Sequence, residues 1–190
     1  MDIEHYQKFV NKTAFFPKSS QGRNLSYLVM GIVEEVGEIY EFIVKKENLE
    51  NLNEIELYSF KVEYILEQII KESGDLLWYI TAICKEMNFS LERLMQYTKV
   101  KKNKHISNIS LLIYLGNLSG AVKKMIRDDN EKITDKKSDL IINNLCYILM
   151  FILQLCDENN IKFKVVLEMN VKKIKSRQKR GTLKGSGNDR

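Results

Sequence analysis

The stretch Gly31-Ile-Val-Glu-Glu-Val-Gly-Glu38 and a second one, Lys71-Glu-Ser-Gly-Asp-Leu-Leu-Trp78, each set two acids three residues apart on helix-forming sequence. Glu35 and Glu38 then share one helical face, with Glu34 beside them, and Glu72 and Asp75 share another. Acids at this spacing are most often a solvated face. Here they stand among Ile32, Val36, Ile39, Leu76, Leu77 and Trp78, beside the apolar face rather than opposite it. Two helices packed through those faces bring four carboxylates together. Like charges that close repel, and the natural compensator for an all-oxygen cluster is a hard divalent cation, Mg²⁺ or Mn²⁺, holding a substrate phosphate. Glu35, Glu38, Glu72 and Asp75 are the candidate metal ligands. Gly37 and Gly74 interrupt the same patterns at about 1 kcal/mol each relative to Ala, which points to close packing or a required approach at both.

Outward from these segments, helical periodicity dominates. The spacing predicts helices over 2–14, 25–46, 57–87, 90–102, 108–127, 137–158 and 162–178, with loops at 17–23, 47–53, 99–108 and 128–136 and no sheet. One Pro and nine Gly in 190 residues suit long helices, and 44% hydrophobic content suffices for a core. The net charge of +5 is unevenly placed: residues 1–100 hold 11 basic and 16 acidic groups, residues 101–190 hold 19 and 9. Such a division fits an acidic metal side facing a basic phosphate side. Cys84, Cys146 and Cys156 lack metal-finger spacing and leave an odd thiol in any pairing, so a reducing cytoplasm and roles as small core residues are expected. The start lacks a basic, apolar leader, and the Leu145–Leu153 run is too short to span a bilayer, so no membrane partner is expected.

Residues 71–101 overlay residues 143–173 with a shift of 72, placing Cys84 on Cys156, Glu86 on Glu158, Asn88 on Asn160 and Lys101 on Lys173. Upstream, a shift of 79 lays Gly37-Glu-Ile on Gly116-Asn-Leu. In the second copy Glu35 becomes Tyr114, Glu38 Asn117, Glu72 Asn144 and Asp75 Tyr147, so every candidate ligand is lost. That copy instead carries Asn170, Lys173 and Arg177 on one helix face, then Arg180 and Lys184 in a Gly-rich basic end. These five are the candidate substrate-binding residues, Lys as a point charge and Arg as a fork for phosphate oxygens. One composite site per chain follows, with acids from residues 1–104 and cations from residues 105–190 in one compact unit. Tyr6, Phe9, Phe15 and Phe16 are read first as core and second as a wall for a base.

At Glu34-Glu35-Val-Gly-Glu38 and Glu72-Ser-Gly-Asp75 the chain resembles the MazG-like, all-α nucleoside triphosphate pyrophosphohydrolases, whose superfamily includes the dimeric dUTPases. Tyr6-Gln7, Thr13, Pro17, the helix Gly74-Asp-Leu-Leu-Trp-Tyr79, Val122–Asp129 and the closing Asn170–Arg190 segment resemble short MazG-like proteins as well. The resemblance implies an all-α helical bundle, here of two diverged MazG-like repeats, and Mg²⁺ held by Glu35, Glu38, Glu72 and Asp75. It leaves Glu34 as the base that orients water. The implied activity is cleavage of an NTP or dNTP to the monophosphate and pyrophosphate, with a homodimer compatible with the tandem halves. Phosphoribosyl-ATP pyrophosphohydrolysis is a variant of the same chemistry. The alternative of another class is a non-catalytic helical regulator that holds nucleotide or RNA. Four clustered acids give a nucleic-acid binder nothing, which disfavours that partner.

Overall fold

The computed structural model describes residues 1–19, 24–50, 55–101 and 105–182 of the 190-residue chain. Among these described residues seven helices follow one another: α1 (Ile3–Thr13), α2 (Leu25–Glu50), α3 (Ile55–Glu86), α4 (Leu91–Val100), α5 (Asn108–Asp129), α6 (Asp135–Glu158) and α7 (Phe163–Arg180). Among the described residues there is no strand. The fold is all-α, as the periodicity predicts. Starts are set by short oxygen-bearing side chains that take an otherwise orphaned N–H: Asp2 from His5, Ser90 from Arg93, Ser107 from Ser110 and Thr134 from Lys137. Three helices outrun their expected ends, α7 among them, which runs to Arg180. α2 continues through Glu47 to Glu50 because Leu49 packs against the core, and α5 continues to Asp129, where Asn130 caps it in the left-handed region at φ 49°.

Glu35 on α2 and Glu72 on α3 lie at similar distances along the chain from the α2–α3 connection and meet in space, so the pair is an antiparallel hairpin. α5 and α6 form a second hairpin beside it. The two are tied reciprocally: α7, which follows the second hairpin, packs on α3, and α4, which follows the first, packs on α6. The seams are filled by Ile32 and Ile39 of α2, Leu76 and Ile80 of α3, and Leu145 and Ile148 of α6, all fully buried. Each such side chain contributes roughly 1.5–3 kcal/mol of transfer free energy. Cys84, Cys146 and Cys156 are free and buried, as expected of small core residues. By length and composition α5 and α6 are apolar enough to cross a bilayer, unlike the short run considered in the sequence; α6 is spent mostly on the core, and α5 is not.

The turns after the two hairpins share one geometry. Phe89 N–H donates to Cys84 C=O at 2.8 Å, and Ile161 N–H donates to Cys156 C=O at 2.8 Å. Asn88 and Asn160 occupy the left-handed region at φ 52° and 55°. These are the residues that the 72-residue shift superimposes. The amino-terminal α1 then straps the assembly. Gln7 accepts from Leu91 N–H at 2.9 Å and donates to Phe89 C=O at 3.2 Å, closing the first of the two turns.

At Gly74 α3 lies close against α7. A Cβ there would stand 2.9 Å from Asn170 Cβ and 3.4 Å from Val166 C=O, so the two helices would have to part. Gly74→Ala is expected to lower stability by about 1–3 kcal/mol despite its better helix propensity. Urea midpoints would show it, and an unchanged or raised midpoint would mean the helices yield freely. Gly37 differs from the expectation of close packing: a Cβ there meets nothing within 4 Å.

Candidate metal centre

α2 and α3 deliver the acids. Glu35, Glu38 and Glu72 each offer a carboxylate oxygen, and the three oxygens lie within 4.8 Å of one another. Glu72 is 1% exposed and Glu35 9%, while Glu38 sits toward solvent one turn along α2. Their burial follows from the placement seen in the sequence, because acids at the margin of the apolar face are carried into the seam when that face packs. Glu35 Oε2 is buried and has no hydrogen-bond partner. Burial first, and then the charges of Asp75, Glu72 and Glu38, push the Glu35 carboxyl up to about 9. Glu38 is raised too, by burial and by neighbouring Glu34. Clustered carboxylates whose charge is this unfavourable, with one oxygen unsatisfied, are the donor set that an oxygen-seeking divalent cation satisfies.

Asp75 is engaged differently. Asn170 Nδ2 donates to its Oδ1 at 2.8 Å, and Lys173 Nζ donates to its Oδ2. Lys173 Nζ also lies 3.9 Å from Glu72 Oε2, so one ammonium faces both acids of α3. Asp75 remains near enough to be the largest charge acting on Glu35. Asn170, 1% exposed, is held in turn by Tyr6, whose hydroxyl donates to Asn170 Oδ1 at 2.9 Å. Burial and the Asp75 charge keep that phenol protonated by raising its pKa. The chain Tyr6–Asn170–Asp75–Lys173 thus joins α1, α7 and α3 across about 160 residues of sequence.

The remaining candidates are placed as follows. Arg177 is half-buried on α7, one turn beyond Lys173; Arg180 ends that helix, exposed; Glu34 is exposed on α2 beside the cluster. Lys184 and most of the basic end lie outside the described residues. Of the aromatic set, Tyr6 is a positioning residue, Phe9 is partly buried and Phe15 is exposed. Phe16 stacks on Tyr27, with ring centroids 6.0 Å apart, and meets Trp78 edge-on. Tyr79 completes this group, against Trp78 and Tyr27 and over the backbone of Gly31, one turn before Glu35. Tyr27 went unnoticed in the sequence, and Tyr79 was given no site role there, because nothing in local spacing distinguishes a ring at a cluster's edge from a core ring.

In the second hairpin the corresponding point is closed by aromatic rings. Tyr114 and Tyr147, standing where the shifts put Glu35 and Asp75, stack at 4.0 Å and 10°. Lys101, the counterpart of Lys173, lies 4.3 Å over the Tyr147 ring, and Asn144, in the place of Glu72, donates to Leu140 C=O at 2.7 Å. No charge there asks for an ion.

The profile of the MazG nucleotide pyrophosphohydrolase domain matches residues 23–108, which take in α2, α3 and α4 and all four acids. That segment, a little under half of the chain, is similar to the MazG nucleotide pyrophosphohydrolase domain. That match ends where α5 begins. Over 75 residues the chain is 31% identical to the Gene 37 protein of Mycobacterium phage L5, a stretch that is 40% of this chain and 66% of that relative. No solved structure matches. The acid-bearing hairpin lies within the matched segment, and the α7 residues that reach it come from outside.

Proposed function

We propose that the protein is a metal-dependent nucleoside triphosphate pyrophosphohydrolase, releasing a nucleoside monophosphate and pyrophosphate. The observation that carries this reading is the convergence of Glu35, Glu38 and Glu72 within the MazG-like segment, with an orphaned Glu35 oxygen and a cation from α7 at its edge. Glu35, Glu38 and Glu72 would hold Mg²⁺ or Mn²⁺, with Asp75 adjacent. The ion would supply charge neutralisation of the triphosphate oxygens. Glu34, exposed next to the cluster, takes the proton of the attacking water. Lys173 and Arg177 on α7 present cations to the phosphates, and Asp75 and Asn170 position Lys173. Phe16, Tyr27, Trp78 and Tyr79 offer ring faces to the base.

In the same reading the chain is two diverged halves, residues 1–104 and 105–190, joined in one composite site. The shared turns, the reciprocal packing of α4 and α7 and the tyrosine pair at the acids' counterparts support it. The proposed setting is a reducing cytoplasm, which suits three free thiols. The purified protein, given a panel of NTPs and dNTPs with Mg²⁺ or Mn²⁺, is expected to release pyrophosphate. Orthophosphate alone, or no release across the panel, would defeat the proposal.

A dependence on pH follows from Glu35. Its ordinary pKa of 4.5 rises to about 9 in the metal-free fold, so the folded state keeps a proton that the unfolded chain gives up. Metal-free stability therefore falls as pH climbs through that window. A divalent ion takes the proton's place and favours the charged carboxylate. Mg²⁺ or Mn²⁺ is expected to raise Tm more at about pH 8 than at about pH 5. A metal-induced shift of equal size at both would count against ligation by Glu35.

A further inference from the structure

The two carboxylate oxygens of Asp75 are held by partners of unequal reach. Oδ1 accepts from Asn170 Nδ2 at 2.8 Å, and Asn170 is fixed from its other side by the Tyr6 hydroxyl at 2.9 Å, with both of these partners buried. That amide is short and pinned at both ends. Oδ2 accepts from Lys173 Nζ, an ammonium at the end of a long, rotatable stem. The same ammonium lies 3.9 Å from Glu72 Oε2, and Glu72 is one of the three acids whose oxygens converge. The Lys173 side chain is 11% exposed, so in the metal-free chain its cation is engaged by acids rather than turned to solvent. An ion gathered by Glu72 would be a near neighbour of that ammonium, and like charges in a desolvated seam repel strongly. The two compete for the acids of α3. The second hairpin has no such conflict, because the counterpart Lys101 lies over the Tyr147 ring and donates to Asn143, both neutral partners.

We propose that Lys173 is a built-in counter-ion that a divalent metal displaces, so that loading the ion releases the ammonium from Asp75 and Glu72 and frees it for substrate phosphates. The inference rests on the reading of Glu35, Glu38 and Glu72 as a metal centre and adds an order of events to it. With no ion present, Lys173 compensates the two acids of α3 and is withheld from anions. Without that ammonium the acids would stand buried and uncompensated, and α7 would lose its charged tie to α3. Once a divalent cation takes the acids, the Lys173 stem turns outward. Asp75 keeps its aim, because Asn170 and Tyr6 stay in place. The released ammonium then joins Arg177, one turn further along α7, as a pair of cations for phosphate oxygens. A nucleotide that arrives before the metal meets a Lys173 already engaged, so the metal is required first.

Labelling of the wild-type chain with an amine-acylating reagent, read lysine by lysine by mass spectrometry, tests the exchange without any turnover. Mn²⁺ is expected to speed acylation of Lys173 by about 5-fold or more, because a released ammonium turns to solvent where the reagent reaches it. Lys101 should label at one rate with and without the ion. Binding of Mn²⁺ is followed on the same preparation through the electron paramagnetic signal of the free ion. Lys173→Met, titrated at a temperature where circular dichroism shows it folded, is expected to bind Mn²⁺ about 10-fold more tightly than the wild type, since no resident cation has to leave. A wild type that binds no Mn²⁺ defeats the metal centre and this inference together. Where Mn²⁺ binds but Lys173 labels no faster, the ammonium stays on its acids and the exchange alone is overturned. A Lys173→Met protein that binds Mn²⁺ no more tightly than the wild type overturns it as well.

Discussion

Glu72→Gln is expected to abolish turnover by at least about 100-fold while leaving the helical bundle intact. Glu72 is the most buried of the three converging acids, and its carboxylate sits between Glu35 and Glu38 on one side and Lys173 on the other. The amide fills the same volume without the charge that a hard cation requires. Removing one of several crowded negative charges also relieves repulsion in the metal-free state, so Tm without metal should hold or rise. The Mg²⁺-induced rise in Tm should vanish with the activity. Circular dichroism, thermal melts with and without metal and a pyrophosphate assay on one preparation would separate loss of ligation from loss of fold. A variant that kept both its turnover and its metal-induced stabilisation would end the assignment of this cluster as a metal centre.

Lys173→Met is expected to cost about 3 kcal/mol of metal-free stability, far more than loss of a surface cation. Lys173 is largely buried, its stem packed between α7 and α3, and its ammonium faces Asp75 and Glu72 together. Methionine keeps the packing and removes the compensation, leaving two acids against a neutral wall. For a chain of this size such a loss corresponds to a fall in Tm of roughly 6–12 °C. Adding Asp75→Asn should recover much of it, since the second charge that needed a partner is then gone. Double-mutant melts would measure the coupling. If Lys173→Met melted with the wild type, the ion pair would be an incidental contact, and α7 would not be tied to the acid cluster by charge.

The seven helices were legible because each carries its own signal. Ile32, Val36 and Ile39 recur at helical spacing, and Ser90, Ser107 and Thr134 mark starts by taking backbone N–H groups that the chain itself presents. The acids were legible for the same reason: Glu35 and Glu38 are three apart on one helix, and residues three apart on a helix share a face whatever surrounds them. Gly74 was read correctly as a point of close packing, whereas at Gly37, with the same sequence signature, no part of the chain packs closely. A glycine states that no side chain is present, and only the surroundings say why.

What the sequence determined by itself is therefore local: which segments wind into helices, and that two of them carry paired acids beside an apolar stripe. Tertiary structure alone decided that Glu35, Glu38 and Glu72 share a point while Asp75 turns to Asn170 and Lys173 of α7. It also decided that Tyr6, more than a hundred residues from Asn170, holds the residue that orients Asp75, and that Tyr114 and Tyr147 fill the equivalent point of the other hairpin with stacked rings. The physical reason is range. Helical periodicity is set by hydrogen bonds four residues long, whereas the partner of a buried acid is chosen by how whole helix faces pack, and many pairings of amphipathic helices satisfy the same local pattern.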